Sequence, residues 1–293
     1  MIIVDMNQVM IAVFMEQSNS GGMVKGKNVE IDESIIRHMI LNTIRSYKVK
    51  YNEKYGEMVL ACDDQNYWRK QLFPYYKYRR KEDREESDID WNALFNSLNK
   101  VRDEIKEAFP YRTIQVESAE ADDVIATLVK RFGSDLPGAK RILILSGDKD
   151  FQQLQKYENV DQYDPTRKRI LKTTNPALFL KEHILRGDFG DGVPNFLSDD
   201  NCIAIKTRQK SIMQKKLDVW LTQDPKQFCD EIMLKRFERN RQLIDLDYIP
   251  DHISDAVNAA YDSQEEKIKD RTKLFNYFTT HKLRHLMSEI HQF

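Results

Sequence analysis

Short apolar runs alternate along the first half of the chain with segments in which apolar residues recur every three or four positions. Four runs have the length of a buried strand, namely IIV (2–4), MVLAC (58–62), TIQV (113–116) and ILIL (142–145). The periodic segments 32–48, 90–109 and 120–132 predict amphipathic helices. Strands that alternate with helices favour an α/β fold in which a mostly parallel sheet carries helices on both faces.

The pattern changes after the fourth run. A short helix is predicted from Phe151, followed by a hairpin over VDQYDPTRKRILKT (160–173), whose Asp-Pro turn separates two short strands. From about Asn175 onward, strand signals give way to helical ones. We therefore predict an α/β domain over residues 1–180 and a smaller helical domain over residues 181–293.

Composition narrows the class of protein but names no partner. The 293 residues include 46 basic and 47 acidic side chains, so net charge is uninformative. No apolar run approaches the roughly 18 residues of a membrane span, and we expect a soluble cytoplasmic protein without a membrane partner. Cys62, Cys202 and Cys229 are widely spaced without a CxxC pair, which indicates reduced packing residues. SNSGGMVKGKN (18–28) lacks the P-loop pattern and is predicted to be a plain loop.

Acidic residues follow every predicted core strand. The strand ends deliver Asp5, Asp63 with Asp64, the AEADD set of Glu120, Asp122 and Asp123, and the SGDKDF pair of Asp148 and Asp150. Taken singly, each is ordinary for a strand end or a first helical turn. The carboxyl ends of parallel strands share one edge of a sheet, however, so we expect these acids to converge there.

Converging carboxylates need cations, because like charges raise one another's pKa. Oxygen ligands without His or Cys favour Mg²⁺ or Mn²⁺, and the number of acids predicts two ions. Asp188 and Asp191 lie in the glycine-rich turn LRGDFGDGVPN. Either turn chemistry explains this pair, or the loop returns it to the metals while its backbone faces a phosphate. In the second interpretation, Gly187, Gly190 and Gly192 allow the backbone to approach the phosphate closely.

A basic, aromatic segment follows the second strand. YWRKQLFPYYKYRRKEDR (67–84) holds seven Lys and Arg, two acids and six aromatics, a mixture that favours a single nucleic-acid strand over a packed amphipathic excursion. We predict Lys77 and Arg80, three apart on one helical face, as phosphate clamps and Tyr76 as a stacking residue. Arg69 and Lys70 are further candidate contacts of this basic arch, which spans about residues 65–88.

A second basic stretch lies beyond the glycine turn. KTRQKSIMQKK (206–216) carries five basic residues and no acid. Lys206, Arg208 and Lys210 are predicted to hold a duplex backbone independently of sequence. The alternative is a solvated helix face.

The ordered set Asp5, ACDD, AEADD, SGDKDF and RGDFGDGVPN resembles the 5′ nuclease family, which includes flap endonucleases and the 5′ nuclease domains of bacterial polymerases. VLACDDQNYWRK, YYKYRRK, REESDIDW, EADDVIATLVKRF and LIDLDYIPD are similar to the ribonuclease H branch found in T-even-type bacteriophages. Two positions depart from the pattern. Asp64 adds a carboxylate beside Asp63, and Gly192 stands where Asn is usual.

The resemblance implies roles for individual residues. It assigns Asp5, Asp63, Glu120, Asp122 and Asp148 to the first metal and Asp123, Asp150, Asp188 and Asp191 to the second. It matches Lys77 and Arg80 to the arch cations and residues 187 to about 216 to a helix-three-turn-helix that grips duplex DNA and binds a monovalent cation, K⁺.

The resemblance also implies a biological setting. It is the removal of RNA primers and short 5′ flaps from lagging-strand fragments in the cytoplasm of a phage-infected bacterium. The substrates are DNA and RNA-DNA duplexes with 5′ ends or flaps. We expect a monomer whose helices after about Asp218 dock a single-stranded-DNA-binding protein.

The mechanistic hypothesis is hydrolysis of a phosphodiester bond assisted by two Mg²⁺ ions, with Asp63 and Asp148 as catalytic ligands. Lys77 and Arg80 would offset charge on the transferring phosphate. Two alternatives remain open on the residues alone. One is a structure-specific DNA-binding protein that has lost catalysis. The other is a haloacid-dehalogenase-like phosphatase, although that class needs a DxD motif where this chain has Asp5-Met-Asn7.

Overall fold

The computed structural model describes residues 1–19, 32–265 and 271–293. These residues form a six-stranded sheet of order β3-β2-β1-β4-β5-β6. The strands are β1 (Ile2–Asp5), β2 (Met58–Ala61), β3 (Arg112–Ile114), β4 (Ile142–Leu145), β5 (Val160–Asp164) and β6 (Arg169–Leu171). All neighbours are parallel except the β5–β6 hairpin. The predicted sheet and hairpin are confirmed.

The register explains why the acidic strand ends meet. β1 is the centre of the parallel part, with Asp5 opposite Ala61 of β2 and Val4 opposite Leu145 of β4. Each of these three strands is buried along its whole length, as continuous apolar runs require in a sheet covered on both faces. The residues that follow them therefore leave the sheet at the same edge.

The helices cover both faces and extend into a C-terminal region. They are α1 (Met6–Asn19), α2 (Glu33–Tyr55), α3 (Trp68–Leu72), α4 (Arg79–Glu85), α5 (Trp91–Ala108), α6 (Ala121–Phe132), α7 (Pro176–Arg186), α8 (Gln214–Thr222), α9 (Pro225–Phe228), α10 (Glu231–Ile244), α11 (Asp251–Asp262), α12 (Thr272–Thr280) and α13 (Arg284–Met287). A 3₁₀ helix, Lys149–Lys156, follows β4 where a short helix was predicted.

Two apolar layers enclose the sheet. On one face α1, α2 and α5 pack together with Leu274, Phe278 and Phe293 from the C-terminal end. On the other face α6 packs with Ile253 and Val257 of α11. The last third of the chain therefore returns to pack against both faces of the sheet. A division at residues 180 and 181, which would fall inside α7, stays a prediction.

A third apolar cluster joins the basic arch to the C-terminal helices. Phe73 and Tyr76 pack with Ile184 and Leu185 of α7 and with Phe237 of α10. Burial of these rings fixes the base of the arch on the helical region. The aromatic residues of the arch are thus used partly for packing.

Two local predictions need correction. Residues 6–19 form α1, which the sequence reading did not identify; residues 18 and 19 of the predicted loop end this helix, and the rest of that loop lies outside the described residues. Lys77 does not share a helical face with Arg80, because it lies in the turn before α4 with a positive φ of 54°. In the described ranges no helix is long and apolar enough to cross a membrane.

Candidate metal centre

Asp5 and Asp63 leave neighbouring strands and are each held by two hydrogen bonds. The carboxylate of Asp5 accepts from the backbone N–H of Gln8 at 3.1 Å and from the Ser146 hydroxyl at 3.0 Å. The carboxylate of Asp63 accepts from the Asn7 side chain at 2.5 Å and from the backbone N–H of Ala121 at 2.7 Å. Both carboxylates are therefore oriented before any ligand arrives.

Asp122 and Asp148 reach the same cleft from other elements. Asp122 lies in the first turn of α6, and Asp148 caps the 3₁₀ helix by accepting from the Asp150 amide at 2.9 Å. Together with Asp5 and Asp63 they line one cleft, and we call these four residues the floor carboxylates. Four of the predicted metal ligands thus converge on one place.

The floor carboxylates are crowded, and their pKa values are raised. Burial and the neighbouring Asp63 raise the pKa of Asp5 to about 6. Burial and the neighbouring Asp150 raise the pKa of Asp148 to about 7. Burial also raises the pKa of Asp63, and burial with the charge of Asp148 raises the pKa of Asp122 well above its usual range. Across the described residues, none of the four takes part in an ion pair.

Glu120 and Asp123 differ from the floor carboxylates, because both form ion pairs with basic side chains of the protein. They form the capping box of α6, and the buried Arg69 lies 2.8 Å from each carboxylate. Glu120 also accepts from Tyr76 and Lys77. Burial raises the pKa of Glu120, but Lys77 and Arg69 outweigh it and hold the value at about 2. Its place in a metal shell stays a prediction.

Three predicted contacts are corrected by this network. Arg69 is only 2% exposed, and its guanidinium contacts Glu120, Asp123 and the Leu243 carbonyl. It is therefore not available to contact nucleic acid. Tyr76 is 4% exposed and cannot stack on a base. Asp123 is wholly buried and accepts from Trp68 and the Glu120 amide, so it is a structural residue and not a metal ligand.

Lys77 and Arg80 line the same cleft as the floor carboxylates. The Arg80 guanidinium lies 2.6 Å from Asp191, and the Lys77 ammonium contacts Glu120 and lies 3.8 Å from Asp191. The Lys77 amide also donates to the Asp191 carbonyl at 2.7 Å. The glycine-rich turn and the arch are therefore held together by side-chain and backbone contacts that the sequence did not predict.

The second acidic group contains an unexpected histidine. His183 Nε2 lies 2.8 Å from Asp150 and 3.4 Å from Asp188. Burial lowers the pKa of His183, but hydrogen bonds to both carboxylates outweigh it and raise the value to about 9. Lys149 lies 2.9 Å from Asp188. Asp122, Asp150, Asp188 and Asp191 share a cavity of about 10 Å³, so this group adjoins the floor carboxylates.

Two of the three predicted glycine contacts are also corrected. A Cβ on Gly187 would lie 2.4 Å from the Val193 carbonyl, and one on Gly192 would lie 2.6 Å from the Tyr75 carbonyl. Both glycines are buried with positive φ, so they serve close approach within the chain and not to phosphate. Gly190 is exposed, as are Lys70, Lys206, Arg208 and Lys210, and their roles stay predictions.

Several site residues were missed by the sequence reading. Asn7 orients Asp63, Gln8 and Ser146 orient Asp5, and the Gln8 side chain also accepts from the Gly147 amide at 2.6 Å. Asp64 accepts from the Ser118 amide at 3.0 Å, which explains the extra carboxylate as a support of the turn before α6. The signal for Asn7 and Gln8 was their place directly after β1.

Comparison with known proteins decides the family. Residues 1–183 match the family described as 5′-3′ exonuclease, N-terminal resolvase-like domain, and residues 175–293 match the family described as T4 RNase H, C terminal. The chain belongs to the 5′-3′ exonuclease family. Ribonuclease H of Enterobacteria phage T4 is 36% identical over 275 residues, which cover 90% of this chain and 88% of that protein.

Two further comparisons, one of sequence and one of structure, match at lower identity. Flap endonuclease Xni of Shewanella sp. (strain ANA-3) is 32% identical over 143 residues, covering 45% of this chain and 48% of that protein. The bacteriophage T5 D15 flap endonuclease, whose structure holds DNA and metal ions, covers 92% of this chain and 99% of its own at 18% identity and a TM-score of 0.62. That likeness confirms the α/β sheet with a C-terminal helical domain.

Proposed function

We propose that the chain is a metal-dependent 5′-3′ exonuclease and flap endonuclease. The floor carboxylates are the observation that carries this proposal. They are four converging acids with raised pKa values that form no ion pair with any described residue, in a cleft that Lys77 and Arg80 also line. Membership of the exonuclease family supports the reaction class.

The donor set fits hard divalent cations. Every floor donor is a carboxylate oxygen, the ligand type preferred by Mg²⁺ and Mn²⁺. We propose that Asp5, Asp63, Asp122 and Asp148 hold a first ion and that Asp150, Asp188 and Asp191 hold a second. When bound, such ions lower the pKa of water and stabilise charge on the oxygens of a phosphodiester.

The chain's own residues would position the substrate and offset the negative charge of its phosphate. Lys77 and Arg80 line the same cleft as the floor carboxylates, where they would bind the scissile phosphate as its negative charge develops. Glu120 and Asp191 hold these cations in place. The hydrogen bonds from Asn7, Gln8 and Ser146 keep two floor carboxylates from rotating away.

We propose a division of work between residues 1–180, which hydrolyse the bond, and residues 181–293, which grip duplex DNA. Residues 187 to about 213 connect α7 to α8 and present Lys206, Arg208 and Lys210 to solvent, the pattern expected of sequence-independent phosphate contacts. Lys206 also lies 3.4 Å from Glu82 of α4, which links this surface to the arch. A K⁺ ion in this helix-three-turn-helix belongs to the same proposal.

The biological role follows from the reaction class and the relatives. We propose removal of RNA primers and short 5′ flaps during DNA replication in an infected bacterial cell, by a monomer that acts on DNA and RNA-DNA duplexes. A single-stranded-DNA-binding protein is the proposed partner of the C-terminal helices. The phosphatase alternative is not favoured. Its DxD motif needs a second carboxylate two residues after Asp5, but this position is Asn7, whose side-chain amide donates to Asp63.

The test is cleavage of a 5′-labelled flap duplex with Mg²⁺ and with EDTA. The proposal predicts short labelled products in Mg²⁺ and intact substrate in EDTA. The same duplex with the label on its 3′ end controls for attack from the other terminus. Binding without cleavage in Mg²⁺ or Mn²⁺ would favour the inactive DNA-binding protein instead.

A further inference from the structure

His183 brings a nitrogen donor to a site that otherwise offers oxygen. It lies in the last turn of α7, with 7% of its side chain exposed. Its Nε2 and one carboxylate oxygen from each of Asp150 and Asp188 all lie within 4.8 Å of one another. Three separate elements thus supply one compact set of ligand atoms: the 3₁₀ helix, α7 and the glycine-rich turn.

The distances are those of atoms that share an ion. Ligand atoms bound at ~2.1 Å on adjacent positions of one ion are separated by roughly 3 Å. Nε2 lies 2.8 Å from Asp150 and 3.4 Å from Asp188, which brackets that separation.

The surroundings hold all three side chains in place. The His183 ring lies against the Phe179 ring at 5.9 Å, and the Asp188 backbone bridges to Val193 through a 2.7 Å hydrogen bond. Lys149 is the other cation on Asp188, and half of its side chain is exposed, so it is free to move into solvent when an ion binds. Asp122 borders the same small cavity, which connects the set to the floor carboxylates.

We propose that His183 is a ligand of the second metal position and gives that position a preference for Mn²⁺ over Mg²⁺. The inference rests on the proposed function, which supplies the two-ion site. Imidazole nitrogen binds first-row transition ions far better than it binds Mg²⁺, whereas carboxylate oxygens accept both. A position with three carboxylates and one imidazole therefore selects more strongly than one with carboxylates alone.

The direct test is pulsed electron paramagnetic resonance of the full-length protein loaded with two equivalents of Mn²⁺. The proposal predicts a ¹⁴N coupling to Mn²⁺ that changes to a ¹⁵N coupling when histidine is ¹⁵N-labelled. The chain has six histidines, so His183→Gln must remove the coupling, and His285→Gln, at an exposed position, must leave it unchanged. Absence of nitrogen coupling in the natural protein, or its persistence in His183→Gln, would overturn the inference.

Calorimetric titration provides the second readout. We expect His183→Gln to weaken binding of one Mn²⁺ about tenfold and to change Mg²⁺ binding less than about twofold. An equal loss for both ions would show that His183 acts through the fold or the ion pair and would overturn the preference. Flap cleavage in Mg²⁺ separates the two claims, since cleavage without nitrogen coupling refutes the ligand role alone. Failure to bind any Mn²⁺ would refute the proposed function as well.

Discussion

Asp63 lines the cleft and Asp123 lies behind it in the same network of acids, yet within the described residues Asp123 forms an ion pair with Arg69 at 2.8 Å whereas Asp63 forms no ion pair. Asp123 is wholly buried beside Arg69, and Asp63 is partly exposed among other acids. Neutralising a residue should therefore have opposite consequences in the two places. Loss of a paired charge should damage the fold, and loss of a floor charge should damage the reaction.

The largest expected effect comes from Asp63→Asn. The substitution keeps the shape and the bond from Ala121 but removes one charge from the floor. We expect single-turnover flap cleavage in Mg²⁺ to fall on the order of 10⁴-fold, as for loss of a central catalytic group. Asp64→Asn is the matched control, because Asp64 supports a turn. Equal losses in the two variants would contradict the contrast between floor and turn.

Arg69→Met should act on the other side of the contrast. It leaves Glu120 and Asp123 buried without their shared cation, which costs about 3–5 kcal/mol of unfolding free energy. Urea denaturation measures the loss. Arg80→Met is the control, since its half-exposed pair with Asp191 should contribute under about 1 kcal/mol. If Arg69→Met unfolds at the same urea concentration as the natural protein, the buried network does not stabilise the fold.

Lys77→Met should reduce the rate of the chemical step without removing DNA binding. Lys77 lines the same cleft as the floor carboxylates, so its charge should matter most as charge develops on the phosphate. We expect a fall of about 10²-fold in the single-turnover rate, with duplex affinity within about threefold. Lys81→Met, in the exposed part of α4, should change neither quantity. A loss confined to affinity would assign Lys77 to substrate binding only.

The smallest effect concerns stability without metal. The folded-state pKa of Asp148, about 7, lies above its ordinary value of 3.8, so ionisation is less favourable in the folded protein. The ionisation of Asp148 therefore lowers the free energy of unfolding as pH rises from about 3.8 to about 7. In EDTA, Asp148→Asn should have a higher Tm than the natural protein, by about 2–4 °C for each kcal/mol relieved. The Tm difference should grow from pH 5 to pH 8, and a constant difference would contradict the raised pKa.

Sequence reasoning predicted the part of the site that follows from chain direction. Because parallel strands end at one edge, Asp5, Asp63 and Asp148 could be placed together from the positions of three apolar runs. The hairpin over residues 160–173 was equally predictable, since its turn residues are local.

The arch was predicted less well, because its pairing partners are distant in sequence. Arg69 meets Glu120 and Asp123 from more than fifty positions away, and a basic segment looks the same whether its cations face acids or phosphates. Lys77 has a left-handed backbone conformation, which a lysine in the sequence does not predict. His183 was not identified either, although its position four residues after Phe179 placed both on one face of α7.

The most direct test is the Asp148→Asn protein on a 5′-labelled flap duplex in Mg²⁺, with duplex binding measured in parallel. Asp148 lies at the floor, where its charge would help hold a metal but makes no ion pair in the described chain. We predict that this variant folds, binds the duplex as tightly as the natural protein and releases almost no labelled product. Cleavage at the natural rate would contradict the assignment of the floor carboxylates to the metal centre.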